Sequence, residues 1–233
     1  MSESLPIVLV PGLNCTVRLY HAQIEALWPF GSVMVADHRR DADIKATAAR
    51  ILRHAPPRFA LVGLSYGGYI AFEIMRQAGD RVAKLALLDT GARPETPQQT
   101  ERRRPLIALA ESGRFSEIAA LQFPRLVDRA RLADEDLKRA YFAMVEETGP
   151  DAFLREQKAI MGRPDSRPLL ASIRCPTLVL VGDADELTPP ELSEEIAAGI
   201  RGARLVIVPH CGHISTMERP DAVNAALIEW LET

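Results

Sequence analysis

One serine stands between glycines in an otherwise apolar stretch of the 233-residue chain. The stretch, RFALVGLSYGGYIAFEIM at residues 58–75, places Ser65 at the centre of a G-x-S-x-G pattern that Gly63 and Gly67 complete. A serine hydroxyl becomes a nucleophile when a neighbouring base removes its proton, and a tight strand-to-helix turn would push that hydroxyl out of the fold. An ordinary strand-to-helix turn would use the same small residues, and the pattern arises by chance in about one chain in ten to twenty of this size. The surrounding elements therefore have to decide between the two interpretations.

Candidate acids and bases for such a serine follow near the end of the chain. The stretch LVGDADELTP contains Asp183 and Asp185, and the stretch PHCGH contains His210 and His213. An imidazole can take the serine proton, and a carboxylate behind it can hold the imidazole in the right tautomer and stabilise its charged form. The chain thus carries the residue types of a Ser-His-Asp triad, with two candidates for the acid and two for the base.

The elements that would position these residues are indicated by hydrophobic patterning. Six continuous apolar runs predict strands that are covered on both faces, as in a parallel sheet. The runs lie at 7–10, 33–36, 59–62, 85–88, 177–181 and 205–208. Helix-period segments separate them, at 19–27, at 44–52, at 69–75 (ending near Gly79) and after Pro220. This alternation, with right-handed crossovers, predicts a doubly wound α/β fold with a mostly parallel sheet of about six strands.

The interval 94–172 departs from this alternation. It has helical periods at 100–111, 115–127 and 134–160 and no strand-like run. We expect a helical cap inserted between the fourth and fifth strands, so that residues 1–93 and 173–233 form the core domain and 94–172 the insertion. Its large apolar side chains are expected to form the insertion's own core, although some could line an acyl pocket: Phe115, Phe123, Phe142, Met144, Phe153 and Met161.

Ligands of open α/β sheets bind beyond the carboxyl ends of the strands. Ser65 follows the third apolar run, Asp185 the fifth and His213 the sixth. All three are therefore expected at one edge of the sheet. Their order along the chain is that of the nucleophile-elbow hydrolases and differs from the two other serine protease orders. This context favours the strained turn at Ser65.

The quoted stretches resemble the α/β-hydrolase superfamily over nearly the whole chain. LVGLSYGG is similar to the nucleophile elbow of that superfamily, LVGDADELTP to its acid loop and PHCGHISTMERP to its histidine loop. Within the superfamily the chain is most similar to small soluble esterases, lactonases and C–C-bond hydrolases with a helical cap. The resemblance implies a hydrolase that cleaves a small ester, lactone or thioester through an acyl-enzyme, with no cofactor and no metal.

The resemblance also implies roles for particular residues. Ser65, Asp185 and His213 would be catalytic. The family's G-x-x-D-x-x-T-P pattern falls on residues 182–189 and favours Asp185 over Asp183 as the acid. The Gly-His pair that ends at His213 favours this histidine over His210, which is expected to be a neighbour that shapes the loop.

The oxyanion of the tetrahedral intermediate needs preorganised donors. The resemblance implies the backbone N–H groups of Tyr66, directly after the nucleophile, and of Leu13, after the first strand. The chain departs from its relatives at two points. It has Pro11-Gly12 where relatives commonly have His-Gly, and HRRDAD after Asp37 where many relatives have a glycine-containing turn that ends in serine.

Other residues near the predicted site have less specific interpretations. Asp89, after the fourth run, is expected in a loop or in contact with the cap. Cys15 and Cys211 are expected to fill space as small apolar side chains. The arginines 102–104 are expected on a solvated face, with recognition of an acidic substrate as the alternative.

Two other functions remain open at this point. The same fold could act as a C–C-bond hydrolase or as a lyase on a small dicarboxylate, for which the arginines of the insertion are the only support. The chain could also be a receptor that uses the fold as a container for a ligand, because fold does not fix function.

Composition narrows the class of protein further. The chain has 28 Lys and Arg against 31 Asp and Glu, which gives a formal net charge of −3 and no broad basic surface for nucleic acid. No apolar run reaches the length of about 18 residues that a membrane-spanning helix needs. The start, MSESLPIVLVPG, has no basic segment typical of a secretory signal, and three cysteines without C-x-x-C spacing indicate neither disulfides nor zinc. A reduced, cytoplasmic enzyme is the expectation.

Overall fold

Six parallel strands form one sheet at the centre of the molecule. The computed structural model describes residues 4–233, so the first three residues of the N-terminal stretch considered above lie outside the described residues. The strands are β1 (Ile7–Val10), β2 (Val33–Val35), β3 (Phe59–Leu64), β4 (Val82–Leu88), β5 (Thr177–Gly182) and β6 (Arg204–Val208). Their order across the sheet is β2-β1-β3-β4-β5-β6, and neighbouring strands pair in parallel.

The ten helices that the described residues form lie on both faces of this sheet and above its carboxyl edge. They are α1 (His21–Leu27), α2 (Ile44–His54), α3 (Tyr66–Ala78), α4 (Pro97–Glu111), α5 (Ile118–Gln122), α6 (Glu135–Met161), α7 (Arg167–Leu170), α8 (Pro190–Gly199), α9 (Ser215–Glu218) and α10 (Pro220–Glu232). The predicted α/β fold with six parallel strands is confirmed.

Side chains of each strand alternate between two apolar cores because successive residues of a strand point to opposite faces. In β1, Ile7 and Leu9 join one core while Val8 and Val10 join the other. The first core receives apolar side chains of α1 and α10, and the second receives those of α2, α3 and α8. Residues of β1, β3 and β5 are buried throughout, which explains why their sequences are continuous apolar runs.

The chain between β4 and β5 is helical and forms the predicted cap region. The predicted helix at 115–127 is divided into α5 and short 3₁₀ turns, because Pro124 has no N–H to continue an α-helix. The predicted helix at 134–160 is α6, and it is kinked where Gly149 has a φ of 74° directly before Pro150. The division of the chain into a core domain and a 94–172 insertion stays a prediction.

Most of the apolar residues expected inside the cap are buried there. Phe115, Phe123, Met144 and Phe153 belong to the same apolar core as α1 and α10, whereas Phe142 is only partly buried against it. Met161 is also partly exposed. The cap therefore shares a continuous core with one face of the sheet. Within residues 4–233, no helix combines the length and the hydropathy needed to cross a lipid bilayer.

Candidate active site

The turn between β3 and α3 has a backbone conformation that most residues avoid. Ser65 sits at this turn with φ 55° and ψ −114°. A Cβ atom on Gly67 would collide with the backbone carbonyl of Val10, so the close approach of α3 to β1 requires glycine there. The turn is fixed by two hydrogen bonds, from the Ser65 N–H to the Leu88 carbonyl at 2.9 Å and from Thr90 Oγ1 to the Ser65 carbonyl at 2.8 Å. The predicted tight turn at Ser65 is thus present.

The side chains of Ser65, His213 and Asp185 lie together at the carboxyl edge of the sheet. Ser65 Oγ is 2.8 Å from His213 Nε2, and His213 Nδ1 is 2.8 Å from Asp185 Oδ2. Thr188 Oγ1 donates to Asp185 Oδ2 at 2.7 Å, and the N–H groups of Leu187 and Thr188 donate to Asp185 Oδ1. The carboxylate is therefore held rigidly against the imidazole, and the imidazole against the serine hydroxyl.

Burial and charge act in opposite directions on this pair. Burial would raise the pKa of Asp185, but the imidazole of His213 and the hydrogen bonds of Thr188 lower it. Burial would lower the pKa of His213, but the negative charge and the hydrogen bond of Asp185 raise it. In both residues the attraction between the partners outweighs the cost of burial, so the arrangement stabilises a positively charged imidazole next to Ser65.

The competing candidates lie elsewhere in the same loops. Asp183 Oδ1 accepts a hydrogen bond from the Cys211 N–H, so this carboxylate stabilises the loop that carries His213. His210 is exposed, with a φ of 53°, and its carbonyl accepts a hydrogen bond from Arg219. Neither is hydrogen-bonded to His213 or Ser65 among the contacts that the described residues make.

Asp89 is more closely integrated than its expected loop position implied. It is fully buried after β4, where its Oδ1 accepts from the Gly182 N–H at 3.1 Å and its Oδ2 from Ser215 Oγ at 2.5 Å. Burial and the negative charge of Asp185 raise the pKa of Asp89 well above its ordinary value and so favour its neutral form. The position of Asp89 at a strand end was visible in the sequence, but its contacts to two distant loops were not.

Two backbone N–H groups predicted to bind the oxyanion flank the serine. Tyr66 is the first residue of α3, and Leu13 lies in the turn after β1. Within the described residues, neither N–H donates a backbone hydrogen bond, and their role as oxyanion donors stays a prediction. The carbonyl of Gly12, directly before Leu13, accepts from the Cys15 N–H at 3.2 Å.

A cavity of about 170 Å³ opens onto Ser65 and His213. One wall comes from the turn after β1 and from the loop after β5, and the other comes from α4, α6 and the segment around Leu126. Cys15 lines this cavity, and burial raises the pKa of its thiol. Cys211 is buried outside it, and burial likewise raises the pKa of that thiol. Both thiols are therefore expected in their neutral form, and their role as space-filling side chains stays a prediction.

The arginines of the insertion divide into different environments. Arg102 and Arg125 are exposed residues that line the cavity, and neither has a carboxylate within ion-pair distance in the part of the chain that the structure describes. Arg103 lines it too, but is partly buried and is held by Glu95 at 2.7 Å and by Gln157 at 3.0 Å. Arg104 is exposed and paired with Glu101 at 2.9 Å, so both Arg102 and Arg104 lie on the expected solvated face.

Histidine, cysteine and carboxylate side chains are the usual metal ligands of proteins. No three of them in residues 4–233 are grouped so that they could hold a metal ion.

Known proteins resemble this chain over most of its length. An esterase from Thermogutta terrifontis, solved with malate bound, has a TM-score of 0.89 and 33% identity and covers 98% of this chain and 89% of its own. The enol-lactonase from Burkholderia xenovorans LB400 has a TM-score of 0.90 and 25% identity and covers 100% of this chain and 93% of its own. The Mycobacterium tuberculosis protein BpoC, named as a non-heme bromoperoxidase, is 31% identical over 199 residues, which are 79% of this chain and 72% of BpoC.

The model of one protein family, described as the alpha/beta hydrolase family, matches residues 7–226, which include every strand and all the residues of the site. The chain therefore belongs to the alpha/beta hydrolase family.

Proposed function

We propose that the protein is a carboxylic-ester hydrolase in which Ser65 is the nucleophile, His213 the general base and acid, and Asp185 the residue that orients His213. One observation carries this proposal: the two 2.8 Å contacts that join Ser65 Oγ to His213 and His213 to Asp185 beside an open cavity. The esterase and the lactonase among the similar structures support the same reaction class.

The first half of the reaction forms an acyl-enzyme. His213 Nε2 takes the proton of Ser65 Oγ while that oxygen bonds to the carbonyl carbon of the ester, and the carbonyl oxygen becomes an oxyanion. The intermediate then collapses, and the bond between the carbonyl carbon and the alcohol oxygen breaks. His213 gives its proton to that oxygen, so the alcohol leaves as a neutral molecule.

The second half repeats these steps with water. His213 removes a proton from water as the water oxygen bonds to the acyl carbon, and a second oxyanion forms. Collapse breaks the bond between the acyl carbon and Ser65 Oγ, which recovers its proton from His213. The carboxylic acid is released and the enzyme returns to its first state. The N–H groups of Tyr66 and Leu13 are the donors that we assign to both oxyanions.

Turnover of p-nitrophenyl esters of increasing acyl length tests the proposal. Ser65→Ala is expected to lower kcat by about 10⁶-fold, because the nucleophile of a triad is lost. Ser112→Ala, at an exposed position at the end of α4, is the matched control and is expected to leave kcat unchanged. A fluorophosphonate probe should label Ser65 in the wild type. Folded protein that neither turns over any ester or lactone nor reacts with the probe would support a ligand-binding receptor instead.

The arginines in the cavity favour a substrate that carries a carboxylate. Arg102 and Arg125 present positive charge beside the apolar walls and have no anionic partner among the described residues. A guanidinium binds a carboxylate with two parallel hydrogen bonds, and such a contact would orient the substrate's ester or lactone towards Ser65. Malate, found in the similar esterase, is itself a dicarboxylate.

Paired substrates test this specificity. Methyl esters of a dicarboxylic acid with one free carboxylate are compared with neutral methyl esters of equal length. Arg102→Ala and Arg125→Ala are expected to raise KM for the charged ester by about tenfold or more and to leave that for the neutral ester unchanged. Arg104→Ala, on the same helix as Arg102 but outside the cavity, is the matched control. Equal effects on both esters would contradict the assignment.

C–C cleavage is the second candidate, and the same two arginines are the observation that favours it. A diketone acid with its carboxylate at these side chains would present a carbonyl to the same site. Fast turnover of such a compound, with negligible turnover of every ester and lactone tested, would replace the ester assignment by this one.

A further inference from the structure

A buried histidine–glutamate pair lies beside the site and is not part of the proposed triad. His38 follows β2 and is 1% exposed, and Glu156 lies in α6 and is fully buried. His38 Nδ1 is 3.1 Å from Glu156 Oε1. Buried ionisable side chains are costly and persist where they hold something in place. His38 is the first residue of HRRDAD, the stretch in which the sequence departs from its relatives.

Both side chains hold the turn that carries Leu13. His38 Nε2 is 3.0 Å from the carbonyl oxygen of Gly12 and is the donor of this contact, since a carbonyl only accepts. The N–H of Asn14 donates to Glu156 Oε2 at 3.1 Å. The pair therefore contacts the peptide group on each side of the Leu13 Cα atom. Asn14 has a φ of 58°, so the turn needs such support to keep its shape.

The contact to Gly12 fixes the direction of the Leu13 N–H. The Gly12 carbonyl and the Leu13 N–H belong to one planar trans peptide group, in which they point in opposite directions. His38 and the Cys15 N–H both hold the Gly12 carbonyl, so the Leu13 N–H is directed to the opposite side of this peptide group. Leu13 and Ser65 line the same cavity. A hydrogen bond to the carbonyl also polarises the peptide group and makes its N–H a better donor.

The two contacts of His38 differ in kind. Nε2 must carry a hydrogen to donate to the Gly12 carbonyl at 3.0 Å. Nδ1 lies 3.1 Å from Glu156 Oε1, but neither atom has a partner with hydrogen-bond geometry among the described residues. The hydrogen bond to Gly12 is therefore the contact through which His38 acts on the turn, while Glu156 acts on it through its other oxygen and the Asn14 N–H.

We propose that His38 and Glu156 are positioning residues that aim the Leu13 N–H at the oxyanion. The inference rests on the proposed function and assigns a role to residues that the triad does not include. Because Glu156 lies in the cap, the same pair also joins the cap to the turn after β1. Hydrogen bonds from Asn14 Nδ2 to Gln122 at 2.9 Å and from Thr16 Oγ1 to Glu147 at 2.8 Å support this junction.

Two substitutions of His38 separate the contact to Gly12 from the contact to Glu156. The amide nitrogen of glutamine lies near the position of histidine Nε2, and that of asparagine near the position of Nδ1. His38→Gln therefore keeps a donor for the Gly12 carbonyl, whereas His38→Asn keeps only a partner for Glu156. Both side chains stay polar, so neither variant buries a charge on Glu156 against an apolar group.

We expect the two His38 variants to differ in stabilisation of the transition state and not in substrate binding. His38→Asn should lower kcat by about 10- to 100-fold with KM unchanged, as expected for a displaced oxyanion donor. The inhibition constant of a trifluoromethyl ketone, which forms a tetrahedral adduct with Ser65, should rise by the same factor. His38→Gln should stay within about threefold of the wild type in both measurements.

Substitutions of Glu156 give an independent test. In Glu156→Gln the amide oxygen can still accept from the Asn14 N–H, so kcat should stay within about threefold of the wild type. In Glu156→Leu this hydrogen bond is lost and kcat should fall as in His38→Asn. Gln23→Leu, which removes a buried side chain that bonds Thr216 and Asn224, is the control for a general loss of stability.

Equal kcat values for His38→Asn and His38→Gln would overturn the inference. So would a fall in unfolding temperature with no change in the inhibition constant, because a purely structural role would give that result. If Glu156→Leu fails to fold, the two His38 variants decide alone. Failure of the proposed function is recognised separately, since either the wild type would then turn over no ester or Ser65→Ala would retain the activity, whatever the His38 variants do.

Discussion

Replacing Asp185 by asparagine tests the proposed electrostatic role of this carboxylate with almost no change in volume. Asp185 Oδ2 lies 2.8 Å from His213 Nδ1, and both side chains are buried. At an effective dielectric constant of about 20, a full negative charge at that distance stabilises an imidazolium by about 6 kcal/mol. Since one pKa unit corresponds to about 1.4 kcal/mol, this stabilisation amounts to about four powers of ten. We therefore expect kcat to fall by about 10⁴-fold, the size of effect that an incorrect tautomer also produces.

The assay is hydrolysis of a fluorogenic ester between pH 5 and 9. His213 must be neutral to accept the serine proton, so activity rises as pH increases through its pKa. Asp185 raises that pKa, and the acidic limb of the wild type should therefore lie above the ordinary value for histidine. Removing the negative charge lowers the pKa again, so the limb of Asp185→Asn should move to lower pH.

Asp183→Asn is the matched control. An asparagine oxygen can still accept the hydrogen bond from the Cys211 N–H, and kcat should stay close to that of the wild type. Residual activity of Asp185→Asn above about a tenth of the wild type would refute the electrostatic reasoning. A loss in Asp183→Asn as large as that in Asp185→Asn would refute the choice of acid.

Three further predictions concern folding and reactivity. Gly67→Ala should give no soluble active protein, because the new Cβ atom would collide with the Val10 carbonyl. Gly79→Ala is the control and should express and turn over ester normally, because its Cβ atom meets only Met75 Cε at 3.4 Å. The soluble fraction and kcat of each variant are measured. Iodoacetamide at pH 8 should alkylate the partly exposed Cys175 before the buried Cys15 and Cys211, which peptide mass spectrometry can follow. Early loss of activity in step with alkylation of Cys15 would contradict the prediction that burial protects this thiol. Glu95→Ala leaves the buried Arg163 and the partly buried Arg103 without their carboxylate and should cost about 3–5 kcal/mol in urea unfolding. Glu101→Ala removes an exposed ion pair and should lower the free energy of unfolding by less than about 1 kcal/mol. Equal losses for Glu95→Ala and Glu101→Ala would show that burial of the ion pairs of Glu95 does not matter for stability.

The sequence was most informative where a simple rule links pattern to position. Continuous apolar runs located all six strands because strands covered on both faces need apolar side chains throughout. The ends of parallel strands meet at one edge, so the ends of β3, β5 and β6 indicated Ser65, Asp185 and His213 before any distance was known. The contacts of 2.8 Å between them agree with that expectation as geometry, while their catalytic roles stay predictions.

Other features depend on how distant side chains pack, and no local pattern encodes them. The predicted helix at 115–127 breaks at Pro124, and α6 bends at Gly149 because the following residue is a proline. The burial of Asp89 and the contact between His38 and Glu156 join parts of the chain that are far apart in sequence. Sequence patterns singled out the stretch HRRDAD but neither its first residue, His38, nor the partner of that residue.

The hydrogen bond between Ser65 and His213 joins residues 148 positions apart. A chain emerging from the ribosome therefore contains the serine long before it contains the base that activates it, and the hydroxyl stays unreactive during most of synthesis. In a refolding experiment, recovery of ester turnover would report closure of this long-range contact, whereas recovery of circular dichroism would report helices that form locally. The difference between the two rates would show how long after helix formation Ser65 and His213 come into contact.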